Sequence, residues 1–148
     1  MRSYFFILAT FFSLLAEAQL QGEWNGYGRW TFKGEGEGVH CSRMQMYWSE
    51  TSDIVSIEKG YFDCEYVAMH LEKTSWKIQD GKLLDADQNV VGLYDKKKFE
   101  VRMKNPDDST SIHIQLDRND GHYDYQETWS NEYEKIYVIS GRFFMKEY

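Results

Sequence analysis

The stretch VHCSRMQMYWSETSDIVSIEKGYFDC, residues 39–64, contains two alternating runs of apolar and polar residues joined by a polar turn. The apolar members of the two runs are Met44, Met46, Trp48, Val55 and Ile57. Alternation with a period of two is typical of β-strands that bury one face against a core. This stretch therefore predicts a β-hairpin whose inner face carries those side chains.

The register of this hairpin follows from its turn. A two-residue loop at Ser52 and Asp53 would place Cys41 opposite Cys64, because the two cysteines lie equally far from it. In this register, Met44 faces Tyr61 and Trp48 faces Ile57 on the inner side. We expect the outer side to carry Cys41, Arg43, Phe62 and Glu58.

The same alternation continues to the end of the chain, and clusters of Gly, Asn and Asp separate the runs. Later inner faces comprise Val67, Met69, Leu71, Phe99, Val101, Met103, Ile112, Ile114, Leu116, Tyr123, Tyr125 and Trp129, and the first strand contributes Trp24, Gly26, Gly28, Trp30 and Phe32. The gaps are too short for crossover helices, so consecutive strands should be antiparallel neighbours. We predict an all-β, antiparallel up-and-down β-barrel of about 8 to 10 strands, since closure removes exposed edges.

The N-terminus predicts the cellular compartment. A basic start at Arg2, an apolar stretch from Tyr4 to Leu15 and the small-residue site Ala16-Glu17-Ala18 together resemble a secretory signal peptide. We assign residues 1–18 to this signal and residues 19–148 to one barrel domain. The apolar stretch is shorter than the roughly 18 residues of a spanning helix, so we expect a secreted or periplasmic protein without membrane insertion.

Two cysteines remain after residue 18, namely Cys41 and Cys64. Export to an oxidising compartment favours one disulfide between them, and two free thiols are the alternative.

Composition excludes some function classes. Of the 148 residues, 24 are acidic and 17 basic, which gives a net charge of −7 and disfavours nucleic-acid binding. Four scattered histidines form no HxH or HExxH pattern, and GxSxG is also missing. The sequence therefore predicts no metal site, no cofactor and no enzyme activity.

The first and last predicted strands carry a family resemblance. Gly22-Glu23-Trp24 is a GxW motif, Gly141-Arg142-Phe143 lies near the end, and LQGEWNGYG, residues 20–28, is similar to the start of nitrobindin-type barrels. The chain thus resembles the calycin superfamily, which includes the lipocalins. The resemblance implies that Trp24 closes one barrel end and packs against Arg142.

The resemblance further implies a small hydrophobic ligand held inside the barrel. The candidate lining is Trp30, Met44, Met46, Trp48, Met69, Phe99, Met103, Tyr125 and Trp129. The same large side chains could instead fill the interior. Glu127 lies in phase with Tyr125, and an inward carboxylate there would need a partner such as Arg142 or Lys135.

Two functions therefore remain open. The first is an exported, non-catalytic barrel that binds or carries a small apolar ligand. The second is a closed barrel whose acidic outer surface binds or inhibits another exported protein in a salt-sensitive complex. Aromatic residues predicted to face outward, namely Tyr27, Tyr47, Tyr66 and Tyr137, would suit that contact.

Overall fold

The computed structural model describes residues 20–95, 97–105 and 108–146, and the predicted signal peptide lies outside them. The described strands are β1 (Gly22–Phe32), β2 (Val39–Glu50), β3 (Ile54–Cys64), β4 (Val67–Leu71), β5 (Thr74–Gln79), β6 (Lys82–Leu84), β7 (Val90–Tyr94), β8 (Lys98–Lys104), β9 (Ser111–Asn119), β10 (His122–Ser130) and β11 (Lys135–Met145). All of them belong to one sheet.

The sheet closes into a barrel because β1 pairs with β2 on one side and with β11 on the other. Every pairing is antiparallel, and from β5 to β11 each strand pairs with the next one in the chain. The result is a closed antiparallel barrel of ten strands, which confirms the predicted fold class.

The remaining strand, β4, shares its place in the ring with β5. Residues 54–57 of β3 pair with β5, whereas residues 60–64 of the same strand pair with β4. The two short strands therefore lie end to end along β3.

The hairpin of β2 and β3 has the predicted register at both of its ends but not between them. Glu50 faces Val55 beside the turn, and Cys41 faces Cys64 at the far end. Two register shifts lie between these pairs, because Glu58 on β3 and Ser42 on β2 have no opposite residue. Each shift is a β-bulge, and the second cancels the first.

These bulges reverse the predicted faces near the cysteines. Cys41 and Cys64 form the disulfide, but both are buried in the core rather than lying on the outer face. Phe62 is likewise buried and faces Met44. Tyr61 takes the outer position instead, where the Arg43 guanidinium lies 5.3 Å from its ring centroid.

Side chains fill the middle of the barrel. Phe99 makes edge contacts with Trp48 and Trp76, each with ring centroids 5.3 Å apart. Across the interior, Phe62 contacts Tyr125 with centroids 5.8 Å apart. All five rings are buried, so this central layer is packed in the manner of a protein core.

Close approach of β1 and β11 depends on glycine. A Cβ added at Gly28 would lie 2.0 Å from the Ser140 carbonyl oxygen and 2.7 Å from the Met44 sulfur. A Cβ at Gly141 would lie 2.8 Å from the same sulfur. Met44 therefore occupies the space that two missing side chains leave.

One end of the barrel, here termed the closed end, is sealed by Leu20 and Trp24. The Trp24 indole N–H donates to the Leu20 carbonyl at 3.0 Å, and its ring meets Tyr123 edge to face at 4.6 Å. The Leu20 amide donates to Glu50 at 2.8 Å.

The predicted packing of Arg142 against Trp24 is wrong. Trp24 lies opposite Met145, and a residue three positions away on a strand points to the other face. Arg142 consequently lies outside the barrel, where its Nε donates to Asp124 at 3.0 Å. The predicted inner residue Phe32 is 67% exposed because β1 continues past the barrel end.

We predict that the disulfide stabilises the fold mainly by restricting the unfolded chain. Its cysteines are separated by 23 residues. A Cys41→Ser, Cys64→Ser double variant should lose about 3 kcal/mol of unfolding free energy. Urea denaturation followed by tryptophan fluorescence measures this loss. An unchanged midpoint in the double variant would contradict the prediction.

Candidate ligand-binding site

The end of the barrel opposite Leu20 and Trp24 carries apolar side chains that are only partly buried. These residues, here termed the mouth cluster, are Trp30, Val39, Val67, Met69, Met103, Ile112, Trp129 and Tyr137. They sit on inward-facing positions near the ends of their strands. The barrel thus has one sealed end and one apolar, partly accessible end.

Strand register brings the mouth cluster together. Met103 lies opposite Ile112, which lies opposite Trp129, which in turn lies opposite Tyr137. The Trp129 and Tyr137 rings are stacked with centroids 5.2 Å apart. Trp30 meets Tyr137 edge to face at 5.8 Å. Aromatic faces therefore line the β1, β10 and β11 side of the mouth.

The predicted ligand lining divides between two levels of the barrel. Trp30, Met69, Met103 and Trp129 belong to the mouth cluster. The other five belong to the packed interior, with exposures of 3% or less, and are Met44, Met46, Trp48, Phe99 and Tyr125. The structure therefore places four of the nine at the partly exposed end of the barrel and five in the packed interior.

The residues predicted to line a ligand do not include all residues of the mouth. The predicted outward direction of Tyr137 is wrong, because Tyr137 shares its face with the buried Ile139 and Phe143. Tyr137 lies two positions before Ile139 and six positions before Phe143, and this even spacing along a strand indicates that it faces inward. Val39 and Ile112 line the mouth too, although Val39 belongs to no predicted inner face.

Glu127 lies on the inner face of β10 and is 1% exposed. The Tyr125 hydroxyl donates to one of its carboxyl oxygens, and the Trp129 indole N–H donates to the other at 2.5 Å. Both donors are on the same strand, two residues before and two residues after it. The predicted inward direction of Glu127 thus agrees with its burial.

The predicted cationic partners of Glu127 are elsewhere. Arg142 pairs with Asp124 outside the barrel, and Lys135 is exposed. In the described part of the chain, Glu127 takes part in no ion pair with a Lys, Arg or His side chain. Neutral donors alone compensate the buried carboxyl group.

Burial determines the acid–base behaviour of this cluster. It raises the pKa of Glu127 above the ordinary 4.5, while the hydrogen bonds from Tyr125 and Trp129 act in the opposite direction. Burial also raises the pKa of Tyr137, and the nearby Glu127 charge adds to that rise. Both shifts follow mainly from the burial of ionisable groups in an apolar site.

Trp30 supplies a second polar group at the mouth. Its indole nitrogen is buried and has no hydrogen-bond partner among the described residues. A buried donor without an acceptor is uncommon because it loses its hydrogen bond to water.

A cavity of about 510 Å³ opens beside the mouth, between β5 and β8. The gap exists because β6 and β7 are short, so they do not bridge the full length of β5 and β8. Met103, Trp76 and Val91 form its apolar wall, and Asp85 and Lys104 lie at its polar border. Its volume is within the range of small-molecule sites.

A second depression, of about 580 Å³, lies on the outer face of β1, β10 and β11. We term it the outer groove. Charged and polar groups of both signs line it, including Arg29, His40, Asp117, Asp124 and Arg142.

Comparison of the chain with models of known protein families finds no match, and comparison with curated proteins finds none either. Within residues 20–95, 97–105 and 108–146, no group of His, Cys, Asp or Glu side chains has the arrangement of a metal site. The same residues contain no helix of the length and hydropathy needed to cross a membrane.

We predict that Glu127 makes the fold less stable as the pH rises. Because its pKa in the folded protein is above 4.5, the folded state keeps this proton longer than the unfolded state does. Its contribution is therefore fully favourable below pH 4.5 and decreases as the pH rises through the folded pKa. Glu127→Gln should remove that decrease, as measured by urea denaturation from pH 5 to pH 8.

Glu100 provides a control of opposite sign. Hydrogen bonding to Lys98 and His113 lowers the pKa of Glu100 to about 2, although burial acts against this. Its contribution is present above pH 4.5 and is lost as the pH falls toward 2. Glu100→Gln should cost on the order of 1 to 2 kcal/mol near neutral pH, with little change from pH 5 to pH 8. An identical pH profile for Glu127→Gln and wild type would refute the prediction.

Proposed function

We propose that this protein is an exported, non-catalytic barrel that binds a small, largely apolar molecule at the mouth. The observation that carries the proposal is the difference between the two barrel ends. Leu20 and Trp24 seal one end, whereas the mouth cluster leaves apolar side chains partly exposed at the other. Binding there would remove apolar surface from water.

The packed interior argues for binding at the mouth rather than in the middle. A ligand at the central layer would have to displace buried rings such as Phe99 and Tyr125. Met69 and Met103 at the mouth are flexible and only partly buried, so they can adapt to a ligand. The cavity beside Met103 offers additional volume.

The proposal also includes export from the cytoplasm and a relationship to the lipocalin-like barrels. The disulfide between Cys41 and Cys64 is consistent with an oxidising compartment, which a signal peptide at residues 1–18 would provide. A barrel sealed at one end by a GxW tryptophan supports the calycin resemblance. These points favour a carrier or scavenger acting outside the cytoplasm.

The test uses N-phenyl-1-naphthylamine, an uncharged apolar dye whose fluorescence increases in apolar sites. We expect saturable binding to the protein purified without residues 1–18. Met103→Trp should weaken this binding at least about tenfold, because the larger side chain occupies the mouth.

The matched control is Leu93→Trp, since Leu93 is 56% exposed on the outside of β7. It adds the same indole without obstructing the mouth and should leave the dye affinity unchanged. If Met103→Trp folds and binds the dye as tightly as wild type, the site is not at the mouth. If wild type does not bind the dye, the proposed function is wrong.

The outer groove supports a second candidate function, the binding of another exported protein. Arg29 and Arg142 border the groove together with Asp117 and Asp124, so its surface carries both charge signs. Tyr27 beside them is 51% exposed. A partner with complementary charges fits this groove better than a purely basic one.

Crosslinking in the cell of origin tests this candidate. A photoreactive amino acid in place of the exposed groove residue Gln126 should capture a defined protein. Arg142→Glu should reduce the yield severalfold, because it reverses one charge in the groove, and added salt should reduce it too. The same photoreactive residue at Leu93 serves as the control position. Equal capture at both positions would argue against the groove.

A further inference from the structure

The position of Glu127 within the barrel is defined by its cross-strand neighbours. It lies opposite Ile114 on β9 and Ile139 on β11, and Ile139 lies opposite Trp30 on β1. Trp129, two residues further along β10, is part of the mouth cluster. Glu127 is therefore one inward-facing position below the mouth, directly beneath the aromatic side chains.

A carboxyl group at this depth is chemically unusual. Its cross-strand neighbours Ile114 and Ile139 are buried and apolar. Transfer of an ionised carboxylate to such surroundings is costly unless an opposite charge accompanies it. Within the described residues, the Tyr125 hydroxyl and the Trp129 indole N–H donate hydrogen bonds to its carboxyl oxygens. No Lys, Arg or His side chain of the described residues supplies such an opposite charge.

Aromatic rings line the β1, β10 and β11 side of the approach to this carboxyl group. Trp129 and Tyr137 are stacked at 5.2 Å, and Trp30 stands edge-on to Tyr137. The faces of such rings attract cations, and the attraction increases when water is excluded. A cation that approached Glu127 would therefore pass close to aromatic rings that attract positive charge.

We propose that the mouth binds a small organic ammonium ion with an apolar body, whose positive nitrogen pairs with Glu127 and contacts the rings of Trp129 and Tyr137. This inference rests on the proposed function and specifies its ligand class. The apolar body would cover Met69 and Met103, which lie in the same cluster.

Trp30 adds a further element of recognition. Its buried indole N–H has no acceptor in the part of the chain that the structure describes, and Ile139 lies between Trp30 and Glu127 in the strand register. With strands about 4.8 Å apart, the two backbone positions are roughly 10 Å from each other. A hydroxyl or ether oxygen on the ligand, a few atoms from the ammonium group, would satisfy this donor.

The charge of Glu127 would also exclude other ligands. An anion of the same shape would place like charges together in an apolar site, which is strongly unfavourable. A neutral alcohol of equal size could donate one hydrogen bond but would leave the buried charge unbalanced. The order of affinity should therefore be ammonium, then alcohol, then carboxylate.

Three ligands with the same phenyl body test that order: 2-phenylethylamine, 2-phenylethanol and 3-phenylpropionate. Each is titrated against the complex of the protein with N-phenyl-1-naphthylamine, and displacement is followed by dye fluorescence. We expect the amine to bind at least about tenfold more tightly than the alcohol, because its charge-assisted hydrogen bond is desolvated. The indole N–H resonances of Trp30 and Trp129 should shift when the amine binds.

Two variants separate a specific contact from the general acidity of the protein. Glu127→Gln retains the shape of the side chain and removes its charge, so the preference for the amine should fall to about threefold or less. Glu132→Gln removes one exposed charge from the β10–β11 turn at the same end of the barrel and should preserve the preference. Retained dye binding shows that each variant is folded.

The outcomes distinguish this inference from the proposed function. If wild type binds the dye but shows no preference for the amine, the inference of an ammonium ligand is refuted and the proposal of an apolar site is retained. Equal loss of preference in Glu132→Gln and Glu127→Gln would show that net charge, not Glu127, attracts the amine. Failure of wild type to bind the dye would refute the proposed function itself.

Discussion

The pairing of β1 with β11 is the contact on which the rest of the structure depends. It joins the first and last strands of the described chain, from Trp24 opposite Met145 to Phe32 opposite Tyr137. Such a contact between distant parts of the chain is entropically expensive, but it pairs the edges that β1 and β11 would otherwise expose. It also requires close backbone approach, since a Cβ at Gly26 would lie 2.0 Å from the Arg142 carbonyl oxygen. Closure then gives every strand an inner face that side chains must fill.

The alternation of apolar and polar residues predicts the fold, because long strands that bury one face show this pattern clearly. Short strands show it less clearly. Strand β6 has three residues, Lys82–Leu84, which are too few to show any alternation. The bulges at Ser42 and Glu58 were also invisible, because neither residue differs from an ordinary outward-facing polar residue. Since the two bulges cancel, the sequence predicts the pairing of Cys41 with Cys64 correctly but assigns the cysteines to the wrong face.

The candidate site was predicted less completely, because alternation reports which face a side chain occupies and not its depth. Trp30 and Trp48 both face inward, yet Trp48 is in the packed layer and Trp30 is at the mouth. The depth of a side chain along the barrel axis depends on the register of all ten strands, and β-bulges alter that register. The alternation along β10 predicts that Glu127 is buried, but a search for residues of opposite charge does not find its hydrogen-bond partners. Arg142 is out of phase with the interior, and Tyr125 and Trp129 are the donors within reach.

Glu127 also shows why packing alone does not account for this end of the barrel. Ile114 and Ile139 lie opposite Glu127 on either side, so its cross-strand neighbours are apolar. An apolar residue in place of Glu127 would avoid the desolvation of a carboxyl group, and two neutral hydrogen bonds offset that cost only in part. The carboxyl group instead lies next to a mouth lined by aromatic rings, two strands from a buried indole N–H for which the described residues offer no acceptor. The described residues supply neither a counter-charge for the carboxyl group nor an acceptor for the indole N–H, and the ligand that we propose would supply both.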